Sequence, residues 1–402
     1  MNRRFIYLIS FLVFTTGCSN SKLLIWKLTG TSTYDAVFKL PSVVIENSSN
    51  QNFNFTEEFS ESLVLPGITL KGKRYNFEEG LDQLGTRAFL IIRSDTIVYE
   101  RYVESDKDDL LTSFSIAKSF VSALMGIAIE EGAVNAESDP ITDYIPELKG
   151  KAGFDKITIA DLLDMRSGIK YVEQYRPLFS DVAKDFGTSD IKGNIKKLSI
   201  QNPADQYLDY KSVNTQLLSY IIENATGKRI YEYLSEKIWK PLGMQSPASW
   251  SVDSDEHKQV KAFCCLNATA RDYARFGRLY LHNGAWQGKQ IIPKNWVQKS
   301  TTFSEVKNKF LYTWQWWHNV DYVRYNKGDK LPDLYQFYHE GIDENGVAYK
   351  MYRAPKQDYY AEGILGQFIY VHLEKDLIIV RLGEKAGTIP WRLLFESIAD
   401  AN

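Results

Sequence analysis

The segment that most constrains the fold is residues 112–132, a polar turn followed by an apolar run. Its sequence reads TSFSIAKSFVSALMGIAIEEG. The apolar part is too long for a typical strand and is rich in small residues suited to close packing, so we predict a buried helix. Ser115 then lies in the first helical turn, and Lys118 follows three residues later on the same face. The rest of the domain must pack around this helix.

The pairing of Ser115 with Lys118 suits nucleophilic catalysis. A serine hydroxyl attacks a carbonyl only after a base takes its proton, and a desolvated lysine can be that base. The backbone N–H of Ser115 lies in the first helical turn, where it can bind a developing oxyanion. The alternative is an ordinary helix cap beside a solvated lysine. Ser-x-x-Lys spacing recurs at four other places in the chain, so spacing alone does not decide between the two.

The composition is that of an ordinary globular protein. The chain has 402 residues, of which 44% are hydrophobic and 24% charged, and its net charge is −2. Without a basic stripe, a nucleic-acid partner is not expected. Five scattered histidines without paired Cys/His spacing predict no metal site, and no cofactor is expected. Because adjacent cysteines rarely bridge without strain, Cys264 and Cys265 are expected to pack as small apolar residues rather than to form a disulfide.

The first residues resemble a bacterial lipoprotein signal. Arg3 and Arg4 precede the apolar segment 5–14, and a run of small residues ends at Cys18. We expect residues 1–17 to be removed and Cys18 to carry a lipid anchor, which places the protein in the bacterial cell envelope, in the periplasm or at the outer membrane. A plain signal peptide or an uncleaved anchor is the alternative. Beyond this segment no run of about 20 apolar residues predicts a membrane span.

The predicted elements follow the order of two strands, a long helical middle, then strands and a closing helix. We interpret residues 18–80 as a tether and lead-in, and we expect the domain over residues 81–397, with a helical region at about 135–270. The first two strands form a hairpin at 87–103. This order predicts an α+β fold, in which one sheet is built from both ends of the chain and helices flank it.

Three further stretches follow Ser115 and Lys118 in a definite order. They are residues 157–168, ITIADLLDMRSG, residues 210–214, YKSVN, and residues 361–367, AEGILGQ. Together the four motifs resemble the serine β-lactamase and penicillin-binding-protein superfamily over roughly residues 80–397. They are similar to its class C-like branch, which also holds esterases, D-aminopeptidases and 6-aminohexanoate-dimer hydrolases. The resemblance implies a β-lactamase/transpeptidase-like fold: an antiparallel sheet flanked by helices, with a helical insert that covers the cleft.

The resemblance implies a role for each matching residue. Ser115 would be the nucleophile, Lys118 its base or proton relay, and Tyr210 the group that works with the lysine and returns the proton to the leaving group. The N–H groups of Ser115 and Ile364 would form the oxyanion hole if Gly363 is the motif glycine. If Gly366 is the motif glycine instead, the backbone amide of Gln367 would be the second oxyanion donor.

Three residues are expected to contact substrate. Gly363 and Ser212 belong to the matching motifs, and Tyr175 follows the Ser-Gly pair at 167–168, where relatives place cleft aromatics. Simple packing is the alternative for Tyr175.

The departures from the family pattern indicate what the site acts on. No lysine or histidine stands before Gly363, and Ser212 replaces the asparagine expected two residues after the tyrosine, although Asn214 is close by. Both changes keep the nucleophile, the base and the oxyanion donors, but they remove groups that recognise a β-lactam or a D-Ala-D-Ala terminus. We therefore predict a serine hydrolase that cleaves a small ester, amide or peptide-like substrate through a Ser115 acyl-enzyme. The alternatives are a penicillin-binding D-Ala-D-Ala carboxypeptidase or β-lactamase, and a catalytically silent ligand-binding member.

Overall fold

The computed structural model of the protein describes residues 33–48, 53–175, 180–302, 311–325, 336–344 and 346–402. Two compact units are present. The first comprises the described residues up to Asn47, together with Thr112–Lys240 and Pro247–Ala268, and the second comprises Ser48–Leu111, Pro241–Ser246 and Thr269–Asn402. Cys18, the expected lipidation site, lies outside the described residues. The boundaries predicted for the lead-in and the domain stay predictions.

The first unit is mainly helical. Its two longest helices, Ala117–Glu130 and Ser212–Thr226, pack against each other. Every residue of the first from Ala117 to Ala128 is buried, which confirms the predicted core helix. A capping box begins the short helix after Thr158, since the side chains of Thr158 and Asp161 each accept a backbone N–H of the other residue. The unit's other α-helices are Thr33–Val37, Ile159–Leu163, Asp181–Gly187 and Ile230–Leu234, and a π-helical turn spans Ser235–Trp239. Short 3-10 turns span Phe114–Ile116, Ile141–Asp143, Pro146–Leu148, Phe154–Lys156 and Lys192–Lys197.

A small antiparallel sheet completes the first unit. Its strands lie in the order Ser42–Ile45, Ala248–Ser251 and Leu266–Ala268, and Thr112 of the short strand Leu111–Thr112 extends it. Ile45 is fully buried. Part of the weakly patterned lead-in therefore enters a sheet.

The second unit is organised around an antiparallel sheet whose strands come from both ends of its sequence, as predicted. The order across the sheet is Tyr312–Thr313, Trp316–Tyr325, Ala348–Gly363, Gln367–His372, Leu377–Gly383, Thr86–Arg93, Thr96–Tyr102 and Thr56–Glu57, with Gln336–Ile342 also paired to Ala348–Gly363. Among the described strands of this sheet, only the short strand Thr56–Glu57 pairs in parallel. The predicted hairpin is confirmed, and Ser94 and Asp95 form its two-residue turn with φ of 46° and 61°.

Helices cover both faces of this sheet. Successive side chains of a strand point to opposite faces, so the neighbours Ile369 and Tyr370 contact different helices. On one face Gly277 of helix Ala270–Leu281 approaches so closely that a Cβ there would lie 2.9 Å from the Ile369 side chain. On the other face Phe395 of helix Trp391–Ala401 packs in a cluster with Tyr370. The remaining elements are helices Phe77–Gln83 and Lys294–Thr301 and the strand pairs Ile68–Leu70 with Lys73–Tyr75 and Ala285–Trp286 with Lys289–Gln290. In the part of the chain that is described, no helix combines the length and the apolar character needed to cross a membrane.

The prediction for the adjacent cysteines was wrong. Cys264 and Cys265 are both buried, as expected, but they are joined by a disulfide. Cys265 adopts a left-handed backbone conformation with φ of 67°. The Trp250 side chain donates to the carbonyl of Cys264 at 2.8 Å, and the Ser251 amide donates to that of Cys265 at 3.1 Å. Hydrogen bonds from a neighbouring strand thus stabilise the turn at these cysteines, and the general rarity of disulfides between adjacent cysteines takes no account of such contacts.

Candidate active site

Ser115 lies on a tight turn that leads into a buried helix. The 3-10 turn Phe114–Ile116 leads directly into helix Ala117–Glu130. Phe114 has φ of +42°, a left-handed conformation that is unusual for a large side chain. Both Phe114 and Ile116 are buried, whereas Ser115 is half-buried. The turn therefore presents the Ser115 hydroxyl from a segment that is otherwise in the core.

Lys118 contacts Ser115 directly. Its Nζ donates to Ser115 Oγ at 2.8 Å and to the carbonyl oxygen of Phe263 at 2.8 Å. The lysine is only 1% exposed, and its Nζ lies 5.0 Å from the centre of the Tyr210 ring. The structure thus brings Ser115, Lys118 and Tyr210 together, as the family resemblance implies. Their catalytic roles stay predictions.

Burial changes the protonation of Lys118. Desolvation lowers the pKa of Lys118 from its ordinary value of 10.5 to about 8, and the nearby Glu173 carboxylate opposes that shift. A substantial fraction of the amine is therefore neutral in weakly alkaline solution. A neutral amine at hydrogen-bond distance from Ser115 Oγ can accept the hydroxyl proton, which is what a general base must do.

Tyr210 stands on an extended segment that is anchored on both sides. On one side the Asp209 amide donates to the carbonyl oxygen of Met165 at 2.8 Å. On the other side Lys211 is buried, and its Nζ donates to the carbonyl oxygen of Ile169 at 2.7 Å. The helix Ser212–Thr226 begins directly afterwards. These contacts determine where the half-buried Tyr210 ring meets Lys118.

Sequence reasoning missed Glu173. Its carboxylate accepts hydrogen bonds from the amide of Ser212 at 2.8 Å, the hydroxyl of Ser212 at 2.7 Å and the hydroxyl of Tyr175 at 2.7 Å. Ser212, predicted to contact substrate, is 1% exposed and uses its hydroxyl on Glu173, whereas Tyr175 is 49% exposed. Substrate contact by either residue stays a prediction. The signal that could have found Glu173 is an acidic residue shortly after the Ser-Gly pair, opposite a helix start that lacks its own side-chain cap.

Asn214 does not substitute for the asparagine missing at Ser212. It is fully buried, and its side-chain oxygen accepts a hydrogen bond from the Ser167 hydroxyl at 2.6 Å. Asn214 therefore joins its helix to the Ser-Gly pair at 167–168.

In the second unit, Gly363 and Ile364 lie at a tight turn between two strands. Gly363 pairs with Gln367, and the Gln367 side chain donates to the carbonyl oxygen of Ile364 at 3.0 Å. Ile364 is half-buried, whereas Gln367 is fully buried. Ala361 and Glu362 precede the glycine, so the strand carries no cation there. The roles of Gly363 in substrate binding and of Ile364, or alternatively Gln367, as the second oxyanion donor stay predictions.

One group of side chains has the spacing of a metal site. Asp190, Asp253 and His257 each offer a ligand atom within 4.8 Å of the others. Asp253, however, accepts hydrogen bonds from the backbone amides of Ile191 at 3.1 Å and Gln259 at 3.0 Å. The buried carboxylate thus already has a structural role in shaping these loops.

The chain is similar in sequence to known proteins. A family model described as beta-lactamase matches residues 75–393. The chain is 29% identical over 268 residues to the 6-aminohexanoate-dimer hydrolase of Paenarthrobacter ureafaciens, covering 60% of this chain and 66% of that enzyme. It is 26% identical over 210 residues to an unguisins hydrolase of Aspergillus campestris, covering 50% and 36%. The chain thus spans no more than about two thirds of these curated relatives.

Solved structures show the same fold. A Bacillus anthracis protein provisionally assigned as a 6-aminohexanoate-dimer hydrolase superposes with a TM-score of 0.72 at 25% identity, covering 90% of each chain. A class C β-lactamase from Rhodobacter sphaeroides superposes with a TM-score of 0.52 at 15% identity, covering 81% of this chain and 97% of that one. The predicted resemblance and the predicted β-lactamase/transpeptidase-like fold are both confirmed. The chain belongs to the β-lactamase family.

Proposed function

We propose that this protein is a serine hydrolase that cleaves ester or amide bonds of small molecules through an acyl-enzyme on Ser115. The observation that carries the proposal is the contact of 2.8 Å between Lys118 Nζ and Ser115 Oγ, made by a buried lysine whose pKa is lowered to about 8. Two relatives named as hydrolases, of 6-aminohexanoate dimers and of unguisins, support the reaction class. No cofactor takes part in the steps proposed.

The proposed reaction uses the three side chains in two steps. Ser115 Oγ attacks the substrate carbonyl carbon while Lys118 takes the hydroxyl proton. The resulting oxyanion is held by the backbone N–H of Ser115. The proton then passes through Tyr210 to the leaving oxygen or nitrogen, the bond to the leaving group breaks, and Ser115 is acylated. Water attacks the acyl-enzyme in the second step and restores the free hydroxyl.

The recognition elements favour substrates that need no carboxylate. Ala361 occupies the place where a cation would bind such a carboxylate, and Glu362 adds a carboxyl group at the same element. Ser212 is engaged with Glu173. These features favour neutral esters and amides over penicillins and D-Ala-D-Ala peptides.

Covalent probes test this choice. Incubation with 4-nitrophenyl butyrate or a fluorophosphonate is expected to add one acyl or phosphonyl group to the peptide containing Ser115, and labelled penicillin is expected to add none. Intact-mass and peptide-mapping mass spectrometry measure both. Penicillin labelling of Ser115 would select the penicillin-binding alternative, and a failure of all three probes to label the protein would leave the ligand-binding alternative.

We also propose that the protein is a lipoprotein of the bacterial cell envelope. The proposal is supported by the sequence of residues 1–18 alone, with paired arginines, an apolar segment and a cysteine after small residues. Mass spectrometry of the N-terminal peptide from the native host is expected to show a diacylglyceryl group on Cys18. A mature N-terminus at another residue, or an unmodified Cys18, would contradict it.

A further inference from the structure

Glu173 contacts two segments of the candidate site, at Tyr175 and at Ser212. Its carboxylate receives the backbone N–H and the hydroxyl of Ser212 and the hydroxyl of Tyr175, at 2.7–2.8 Å. Ser212 is the first residue of the helix Ser212–Thr226, so its N–H has no partner within that helix. Lys118 is the buried cation on which the same carboxylate acts. One side chain is thus linked to a loop, to a helix start and to the proposed base.

We propose that Glu173 is a positioning residue that holds Tyr210 against Lys118 through Ser212 and supplies the negative charge that balances the buried ammonium. The inference rests on the proposed function, since it assigns Glu173 a part in acylation of Ser115.

The first part of the argument is geometric. Tyr210 lies two residues before Ser212, on a segment that is held at three points. Met165 holds its beginning through the Asp209 amide, the Ile169 carbonyl holds its middle through Lys211, and Glu173 holds its end through the Ser212 amide and hydroxyl. Loss of the contacts with Glu173 releases the end of the segment where the helix begins, next to Tyr210. Displacements of about 1 Å at a catalytic group lower rates by up to roughly 100-fold.

The second part is electrostatic. Lys118 is 1% exposed, so its ammonium form lacks hydration and depends on the groups around it. Among the described residues these are Ser115 Oγ, the carbonyl oxygen and ring of Phe263, the ring of Tyr210 and, at longer range, the Glu173 carboxylate. The titratable groups that face Lys118 are therefore Tyr210 and Glu173. Removing the carboxylate charge lowers the pKa of Lys118 further, because this charge is what opposes the effect of desolvation among the described residues.

A helix cap without any effect on the base is the competing explanation, and Glu173→Gln separates the two. The amide oxygen of glutamine still accepts the Ser212 N–H, so the cap remains, but the charge is gone. Glu173→Ala removes both the cap and the charge. Glu236→Gln is the matched control, because it removes a half-exposed carboxylate of the same unit that pairs with Lys228 on the surface.

The test measures the rate of acylation by 4-nitrophenyl butyrate over a pH range that spans the pKa of Lys118. Release of the nitrophenol is followed at a wavelength that does not depend on its ionisation. For Glu173→Gln we expect the acylation rate at its high-pH plateau to be about tenfold lower, which is the scale of one charge-assisted hydrogen bond. We also expect the rate to rise at lower pH than in the wild type. The acylation rate of Glu173→Ala should be roughly 100-fold lower, and that of Glu236→Gln should match the wild type.

Two results would overturn the inference. One is a Glu173→Gln variant with the wild-type plateau and pH midpoint. The other is a lower plateau with an unchanged midpoint, since the charge of Glu173 would then have no effect on Lys118. Thermal melting of each variant shows whether lost rate reflects lost folding. A wild-type protein that is not acylated at Ser115 would instead refute the proposed function, so the two failures are distinguishable.

Discussion

Ser115→Ala is expected to abolish acylation and to lower ester turnover by about a millionfold, the scale known for removal of a serine nucleophile in another hydrolase. The half-buried Ser115 hydroxyl is the group placed at 2.8 Å from the Lys118 amine, and alanine removes the attacking oxygen while leaving the turn unchanged. Lys118 keeps its second hydrogen bond, to the carbonyl oxygen of Phe263. Stopped-flow kinetics and intact-mass spectrometry measure the two effects.

Ser122→Ala provides the matched control for this prediction. Ser122 lies on the same helix and is fully buried, and its hydroxyl has no hydrogen-bond partner among the described residues. Its loss should change the acylation rate by less than about threefold, in line with the small effects of substitutions that remove no bonded contact. If Ser115→Ala were labelled as fast as the wild type, a different nucleophile would have to carry the reaction.

The local parts of this structure could be predicted from the sequence because they depend on neighbouring residues. The buried helix Ala117–Glu130 follows from an apolar run behind a polar turn, and the contact between Ser115 and Lys118 follows from helical spacing. The same holds for the hairpin turn at Ser94 and Asp95 and for the capping box at Thr158. In each case the pattern and the contact lie within a few positions of each other.

Contacts between distant segments could not be predicted in this way. The second hydrogen bond of Lys118 goes to a carbonyl 145 positions away, and Glu173 reaches Ser212 across 39 positions. A backbone carbonyl carries no sequence signal, and a glutamate in a loop is normally a solvated residue. The prediction for Cys264 and Cys265 failed for a related reason, since their disulfide depends on a turn that contacts a neighbouring strand. The motif residues were found by resemblance, and the groups that support them required the structure.

Lys118→Met is expected to lower the acylation rate of Ser115 by between about 10² and 10⁴-fold, the usual contribution of a general base. Methionine fills a similar volume in this buried position but cannot accept a proton. In the wild type the rate should rise with pH around a midpoint near 8, because burial lowers the pKa of Lys118 to about 8 and only the neutral amine acts as base. The variant should lose this rise, which a pH profile of single-turnover acylation measures directly.

Lys261→Met distinguishes loss of the base from loss of a buried lysine in general. Lys261 is also 1% exposed and belongs to the same unit, but its Nζ donates to the carbonyl oxygens of Asp185 at 3.0 Å and Thr188 at 3.1 Å. The folded fraction of this variant should keep the midpoint near 8 that Lys118 sets. If Lys118→Met kept that midpoint instead, Lys118 could not be the group whose deprotonation controls attack. Tyr210, whose ring lies 5.0 Å from the lysine, would then be the group to test as the base.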